Sequence, residues 1–359
     1  QRMLEHLSGD MELTEAKAEK IRKCQCISCH APTTATMTIG SSKIPSAAAS
    51  RGFHCLECHS TGGSEDWIDD HQDAVTWSDE NKTSSEEKEN LGFHNPDRQP
   101  SQRAALCARC HVGSDSGEVN HDLIAAGHPA LHFEFLTYWE NLPPHWDVIR
   151  DELAVANALR LAPKQSRELR AQTWANGQIA STHAALSLLE TRANRAAEKS
   201  TAWPEFSEYE CSSCHRPLLH RSVGSDSQEL NGLGTSGLPK FGTWYLAMVR
   251  IFPEWSGGSD TTNNLDAAMM QFYEAEEVAG HCADVGQSLQ FPSPEGKRMT
   301  ASEMLIRLAR RVDPQQGEHH VLSSRDEIVQ WYLAVENLSA DGQVDESTLQ
   351  KLFTALNQS

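Results

Sequence analysis

Eight of the ten cysteines fall into four copies of one pattern, Cys-x-x-Cys-His. The copies are Cys26-Ile-Ser-Cys29-His30, Cys55-Leu-Glu-Cys58-His59, Cys107-Ala-Arg-Cys110-His111 and Cys211-Ser-Ser-Cys214-His215. At this chain's Cys and His frequencies, chance would produce about 0.01 copies of such a pattern. Two thiols three residues apart share one face of a helical turn. That spacing suits the two vinyl groups on one porphyrin edge, where each thiol forms a thioether. The histidine that follows is then placed beneath the ring to bind iron. The pattern predicts four covalent c-type haems. Their anchors are Cys26, Cys29, Cys55, Cys58, Cys107, Cys110, Cys211 and Cys214, and their proximal ligands are His30, His59, His111 and His215. Zinc is the competing use of paired cysteines, but it requires no histidine after every pair. Disulfides within the pairs leave the histidines unexplained as well.

The sixth position of each iron decides what a haem can do. A second histidine there gives an electron-transfer centre, and an open position admits substrate. Four proximal ligands taken from seventeen histidines leave thirteen. His71 follows Trp67 shortly after the second motif. His121 and His128 flank Asp-Leu-Ile-Ala-Ala-Gly; seven residues apart, they lie two turns apart if helical. His145 sits between Pro144 and Trp146, and His183 falls at helical spacing with Ile179 and Leu186. His6 and His54 complete the candidates, His54 only for a neighbouring haem because it adjoins Cys55. His319 and His320 read as surface, and methionine ligation is the lesser alternative.

Cys24 and Cys282 stand outside the motifs. A Cys24–Cys282 disulfide is one reading, and two thiols buried as small hydrophobes is the other. Cys24 also forms a longer Cys-x4-Cys-His alternative with Cys29 and His30. Haem attachment takes place outside the cytoplasm. A chain that begins at Gln1 without a signal peptide then reads as exported and processed, periplasmic or extracellular.

The elements that must position these groups read as helical. Residues 1–23 carry Leu4, Leu7, Met11 and Ala16 on one face. Residues 31–53 read as loop, and 78–90 as a charged surface stretch. Helix is expected over about 131–140, ending at Pro143-Pro144. From Trp146 to Lys199 the pattern suggests an antiparallel helix pair broken at Pro163. Further helical periodicity appears at 241–252, 263–279, 300–311, 324–337 and 346–356. No strand pattern stands out. The expected class is mostly α with extensive irregular loops, a multihaem core and a helical, haem-free C-terminal region. The expected organisation is a tetrahaem domain over 1–220, a Gly/Ser-rich linker over 221–240 and a docking or assembly region over 241–359.

Composition narrows the function. Lys plus Arg is 31 and Asp plus Glu is 50, a formal charge of −19. That charge excludes nucleic acid and argues against anionic membrane surfaces. Eight haem propionates would add up to about −8, partly offset by ferric iron. No apolar run reaches the ~20 residues of a membrane span; the best, around Phe241 to Phe252, contains Arg250. The chain is only 38% hydrophobic and its mean hydropathy is −0.53. Four apolar macrocycles would supply core that the side chains do not. Near the C-terminus, Asn337-Leu-Ser339-Ala-Asp341-Gly342-Gln-Val344-Asp345-Glu-Ser-Thr348 is similar to an EF-hand loop. Thr348 stands where a bidentate Glu belongs, so calcium is not expected and a helix–turn–helix is.

Gly52-Phe53-His54-Cys55-Leu56-Glu57-Cys58-His59, with Trp67 and His71 downstream, resembles the cytochrome c-554 type of multihaem cytochrome. Val119 to Pro129 and Trp203-Pro204-Glu205-Phe206 resemble an environmental branch of that family. The resemblance covers roughly residues 1–250 and implies electron transfer among closely packed haems. Two features depart from it. Family members usually carry a ligand or haem upstream of the stretch that Met3 to Ser8 resembles. The haem-free region after 250 is absent from the short members. The expected activity is an electron relay, with a redox partner that presents a basic docking face. The alternatives are an enzyme acting on hydroxylamine or nitrite at a five-coordinate haem, and a subunit of a cytochrome filament or larger complex. The sequence lacks the Cys-x-x-Cys-Lys motif that would favour the enzyme.

Overall fold

The computed structural model describes residues 29–30, 58–59, 67–70, 73, 76–77, 84–94, 100–142, 163–215, 239–271, 273–291, 299–311, 325–339, 350 and 354. The described chain is mostly helical. Its elements are α1 (Trp67–Asp70), α2 (Ser85–Asn90), α3 (Pro100–His111), α4 (His121–Ala125), α5 (Phe135–Asn141), α6 (Pro163–Ala197), α7 (Cys211–Cys214), α8 (Thr243–Ile251), α9 (Ser259–Met270), α10 (Ala275–Ser288), α11 (Ala301–Arg311) and α12 (Arg325–Ser339). Among the described residues there is no strand; Tyr209 and Phe241 form an isolated antiparallel bridge. The expectations for residues 1–23, 31–53 and 146–162, for nearly all of 221–240 and 346–356, and for most of the EF-hand-like loop lie outside the described residues.

The chain divides into two compact units, Gln1–Leu106 with Ser116–Glu118, and Cys107–Asp115 with Val119–Ser359. In the first unit, α2 starts at a reciprocal cap. Ser84 Oγ accepts from the Glu87 N–H at 3.2 Å and the Glu87 carboxylate accepts from the Ser84 N–H at 2.6 Å. The bond from the Ser84 backbone, seconded by its hydroxyl, holds the Glu87 carboxyl below its ordinary pKa. Most of this helix is exposed, as its charges predict, but Lys88 is buried with its ammonium over the Trp77 ring.

The second unit is organised by α6. Pro163 opens the helix, where its missing N–H costs nothing. Every residue from Ala171 to Thr182 is buried, although half of them are polar. Four of these side chains turn back on the helix or reach a neighbour, while Gln172 Oε1 and Trp174 Nε1 are buried without a hydrogen-bond partner among the described residues. Thr173 Oγ donates to the Leu169 carbonyl, Asn176 Nδ2 to the Gln172 carbonyl, Thr182 Oγ to the Gln178 carbonyl and Gln172 Nε2 to the Met299 carbonyl. Around this axis pack α5, α8, α10, α11 and α12, with α9 against α10. Leu186 and Leu189 of α6, Leu246 of α8, Leu265 of α9 and Val278 of α10 belong to one buried cluster.

Two expected helices differ from those observed, and so does the relation of His121 to His128. The one expected over 131–140 begins at Phe135, because Glu134 caps it by accepting from the Leu136 and Thr137 N–H groups. The one expected over 263–279 is two helices. The Tyr273 N–H turns back to the Ala268 carbonyl at 2.9 Å, and α10 restarts with Glu276 and Glu277 in its first turn. His121 and His128 do not share a helix face, since α4 stops at Ala125 and Gly127 takes φ +104°.

Gly177 is where α6 admits α5. A Cβ at Gly177 would lie 2.7 Å from Phe135 Cβ, an atom fixed to the backbone. Gly177→Ala is therefore expected to destabilise the protein by roughly 1–3 kcal/mol despite the better helix former. At Gly280 on α10 an added Cβ meets nothing within 4 Å, so Gly280→Ala should stabilise it by about 0.5–1 kcal/mol. Chemical denaturation of both variants checks the opposite signs.

Candidate haem centres

The fourth motif is built on a single helical turn. Cys211 to Cys214 form α7, and the His215 N–H bonds back to the Cys211 carbonyl at 2.7 Å. A short pairing with residues 240–242 holds the turn. The Glu210 N–H donates to the Lys240 carbonyl, the Gly242 N–H to the Glu208 carbonyl, and the Lys240 N–H to Ser213 Oγ. Beside the turn lies a cavity of about 660 Å³. Cys211, Cys214 and His215 line it with Leu186, Leu189, Phe241 and Leu246, so its wall is continuous with the apolar core.

His121 also lines this cavity. Its ring centre lies 6.2 Å from that of His215, with the two planes 24° apart. One metal ion bound at about 2 Å by a nitrogen of each ring, from opposite sides, puts the ring centres about 6 to 6.5 Å apart. The separation of the pair is compatible with one ion shared in that way. His121 is the first residue of α4, whose Asn120 cap accepts from the Leu123 N–H at 3.0 Å. The His121 N–H itself donates to the Glu205 carboxylate at 2.9 Å. Burial raises the Glu205 carboxyl, but bonds from Ser207 and His121 and the charge of Arg192 together bring it below its ordinary pKa. Arg192 of α6 is buried and bonds Ser207 Oγ and the Val119 carbonyl, each at 3.2 Å, as well as the Glu208 carboxylate.

The third motif closes α3, so Cys107, Cys110 and His111 share one helix. The His111 ring stacks on Phe133 at 5.0 Å and meets Tyr138 at 4.4 Å. Burial lowers the His111 pKa, which favours the neutral imidazole that binds metals. A second cavity of about 430 Å³ adjoins it. The two cavities share Ala130, Leu131, His132 and Trp244. This common wall is pinned by α8. The Tyr245 hydroxyl donates to the Leu131 carbonyl at 2.6 Å and accepts from the Phe133 N–H at 3.3 Å, and Trp244 Nε1 donates to the Phe133 carbonyl.

In the first unit, His59 sits in an aromatic nest. Phe93 stacks on its ring at 5.1 Å, with Trp67 and Trp77 edge-on to Phe93. His59 Nδ1 lies 3.1 Å from the His94 carbonyl, which can only accept. A neutral ring that donates from Nδ1 to this carbonyl would leave Nε2 as the metal-binding nitrogen, the arrangement carbonyl partners favour in metal-binding histidines. Cys58, and Cys29 with His30, are helical where described. Cys24, Cys26 and Cys55 lie outside the described residues.

The distal candidates separate clearly. His121 faces a motif histidine. His128 Nδ1 lies 2.7 Å from the Pro129 carbonyl, but the residue lines neither cavity. His183 is exposed, which corrects its expected place on the apolar face of α6. All-round cover of α6 ends at Thr182, and His183 and Ser187 mark the open side beyond it. His6, His54, His71 and His145 lie outside the described residues. His132 was missed. It lines both cavities, packs on Trp244 at 4.5 Å and approaches Asp326 at 3.7 Å. No spacing to a motif marks it in the sequence. Cys282 is 1% exposed in the α10 core, and burial holds its thiol far above the ordinary pKa. Asn337 is buried within α12 and its Oδ1 accepts from Arg170. Among the described residues no three His, Cys, Asp or Glu side chains converge on a metal position.

Tyr245→Phe removes the partner of two backbone groups in the wall between the cavities. It should cost about 1–3 kcal/mol, measured by chemical denaturation against the wild type. Compared with family models, with curated proteins and with solved structures, the chain finds no match.

Proposed function

We propose that this chain is an exported tetrahaem c-type cytochrome that relays electrons between redox partners, akin to the cytochrome c-554 family it resembles. The observation that carries the reading is the His121–His215 pair. Two imidazoles stand at a one-ion separation across an apolar cavity, with the two thiols of a Cys-x-x-Cys turn on its wall. A cavity of about 660 Å³ is within the range that encloses cofactors, roughly 300–1,000 Å³. A bound haem supplies a one-electron couple whose potential follows its axial ligands, burial and nearby charge.

The chain's own residues have distinct parts in this reading. Cys211 and Cys214 would hold a haem through thioether bonds, and His215 and His121 would bind its iron. Leu186, Leu189, Phe241 and Leu246 keep water away, while Arg192, Glu208 and Asp326 set the charge at the wall. Two histidines on one iron leave no position for a substrate, which favours electron transfer over chemistry at this centre. His111 and His59 fit further centres, one because burial lowers its pKa and the other because its Nδ1 lies beside a backbone carbonyl. The formal charge of −19 favours a partner with a basic docking face. Among the described residues no helix is long and apolar enough to cross a membrane.

Absorption spectroscopy of the reduced protein, with and without carbon monoxide, tests this. The holoprotein is expected to show c-type bands and only low-spin ferric haem at the fourth centre. His121→Ala should let one haem of four bind carbon monoxide, whereas His183→Ala should change nothing. A wild-type protein without haem bands overturns the reading. Carbon monoxide binding by the wild type with no response to His121→Ala favours the enzyme instead.

A further inference from the structure

His121 and His215 belong to segments far apart in the sequence, so something must fix their separation. His215 is held by the turn it follows and by the pairing of residues 208–210 with 240–242. His121 opens a helix of only five residues, His121–Ala125, which buries none of them. Leu123 and Ile124 are only half-buried, and the His121 ring meets Phe206 edge-on at 6.0 Å. The backbone of His121 is joined to the His215 segment by hydrogen bonds. The Glu205 carboxylate accepts through the same oxygen from the His121 N–H at 2.9 Å and the Ser207 N–H at 3.0 Å. Arg192 makes a parallel link one step out, joining the Val119 carbonyl to Ser207 and Glu208. Of the two links, only Glu205 touches the backbone of His121 itself.

We infer that Glu205 is a positioning residue for the sixth ligand of the fourth haem. Its carboxylate clasps the start of α4 to the 205–215 segment and so sets the reach of His121 towards the iron that His215 binds. The inference rests on the haem reading above and goes beyond it by assigning a residue that does not touch the haem iron. A free N–H at the start of a helix needs an acceptor in any case. What distinguishes a clasp from ordinary capping is that the acceptor comes from the chain segment carrying the opposite ligand. Length, rather than charge, is the property that matters: the side chain must reach both N–H groups at once.

The test uses the full-length holoprotein and three variants. Glu205→Gln keeps the reach and an acceptor oxygen, and should remain low-spin with no carbon monoxide binding. Glu205→Ala, and Glu205→Asp, which keeps the charge beside Arg192 but is one methylene shorter, should each convert one haem of four to high-spin in the ferric state. The same haem should bind carbon monoxide once reduced. Helical circular dichroism and haem content, measured on each, separate loss of the ligand from loss of the fold. Variants that keep four haems and stay fully low-spin overturn the clasp and leave the haem reading standing. A Glu205→Asp protein indistinguishable from wild type overturns it even if Glu205→Ala does not fold. Absence of haem from the wild type overturns the underlying reading instead.

Discussion

The second unit depends on burying the middle of one polar helix. Three turns of α6, from Ala171 to Thr182, are enclosed on every side. A helix covered all round is ordinarily apolar throughout. Here Thr173, Asn176 and Thr182 bond to carbonyls one turn back, so their polar groups enter the core already satisfied. Thr182 extends this outward by sharing its one hydroxyl proton between the Gln178 carbonyl at 2.9 Å and the Tyr245 carbonyl at 2.5 Å. Gly177 removes the last obstacle by letting Phe135 approach the helix backbone. The wall between the two cavities hangs from that arrangement, because Tyr245 and Trp244 hold residues 131–133 in place.

Beyond Thr182 the same helix changes role. Leu186 and Leu189 face the large cavity, and Arg192 bridges the two segments that carry His121 and His215. Core and cavity thus share one apolar surface, with charge at the edge where two chain segments meet. This gives the low hydrophobic content a physical sense. In the proposed holoprotein, a macrocycle completes a core whose protein part is one-sided. The C-terminal helices α8, α10, α11 and α12 pack on α6, with α9 against α10, and α8 and α12 supply residues to the cavity walls.

Local chemistry was legible in the sequence, and long-range pairing was not. Cys-x-x-Cys spacing implied one helical turn, and Cys107 to His111 and Cys211 to Cys214 are helical. His121 stood out from the residues around it. That it faces His215 was invisible, because Glu205 and Arg192 make the connection through side chains distant in the chain. Periodicity misled at His183, where flanking buried residues at i−4 and i+3 suggested a buried face that the fold leaves open. It also merged α9 with α10, since the break is a backbone hydrogen bond at Tyr273 that no proline or glycine announces. His132 carried no signal because its importance comes from Trp244 and Asp326, on other elements.

The central claim is covalent: four pairs of thiols, each bonded to a macrocycle. Intact mass under denaturing conditions tests it most directly, on full-length chain exported by a host that attaches c-type haem. The expected mass is that of the polypeptide plus four haems, unchanged by reductant and by chelator. The bare polypeptide mass, or a mass that falls when a chelator is added, would contradict it.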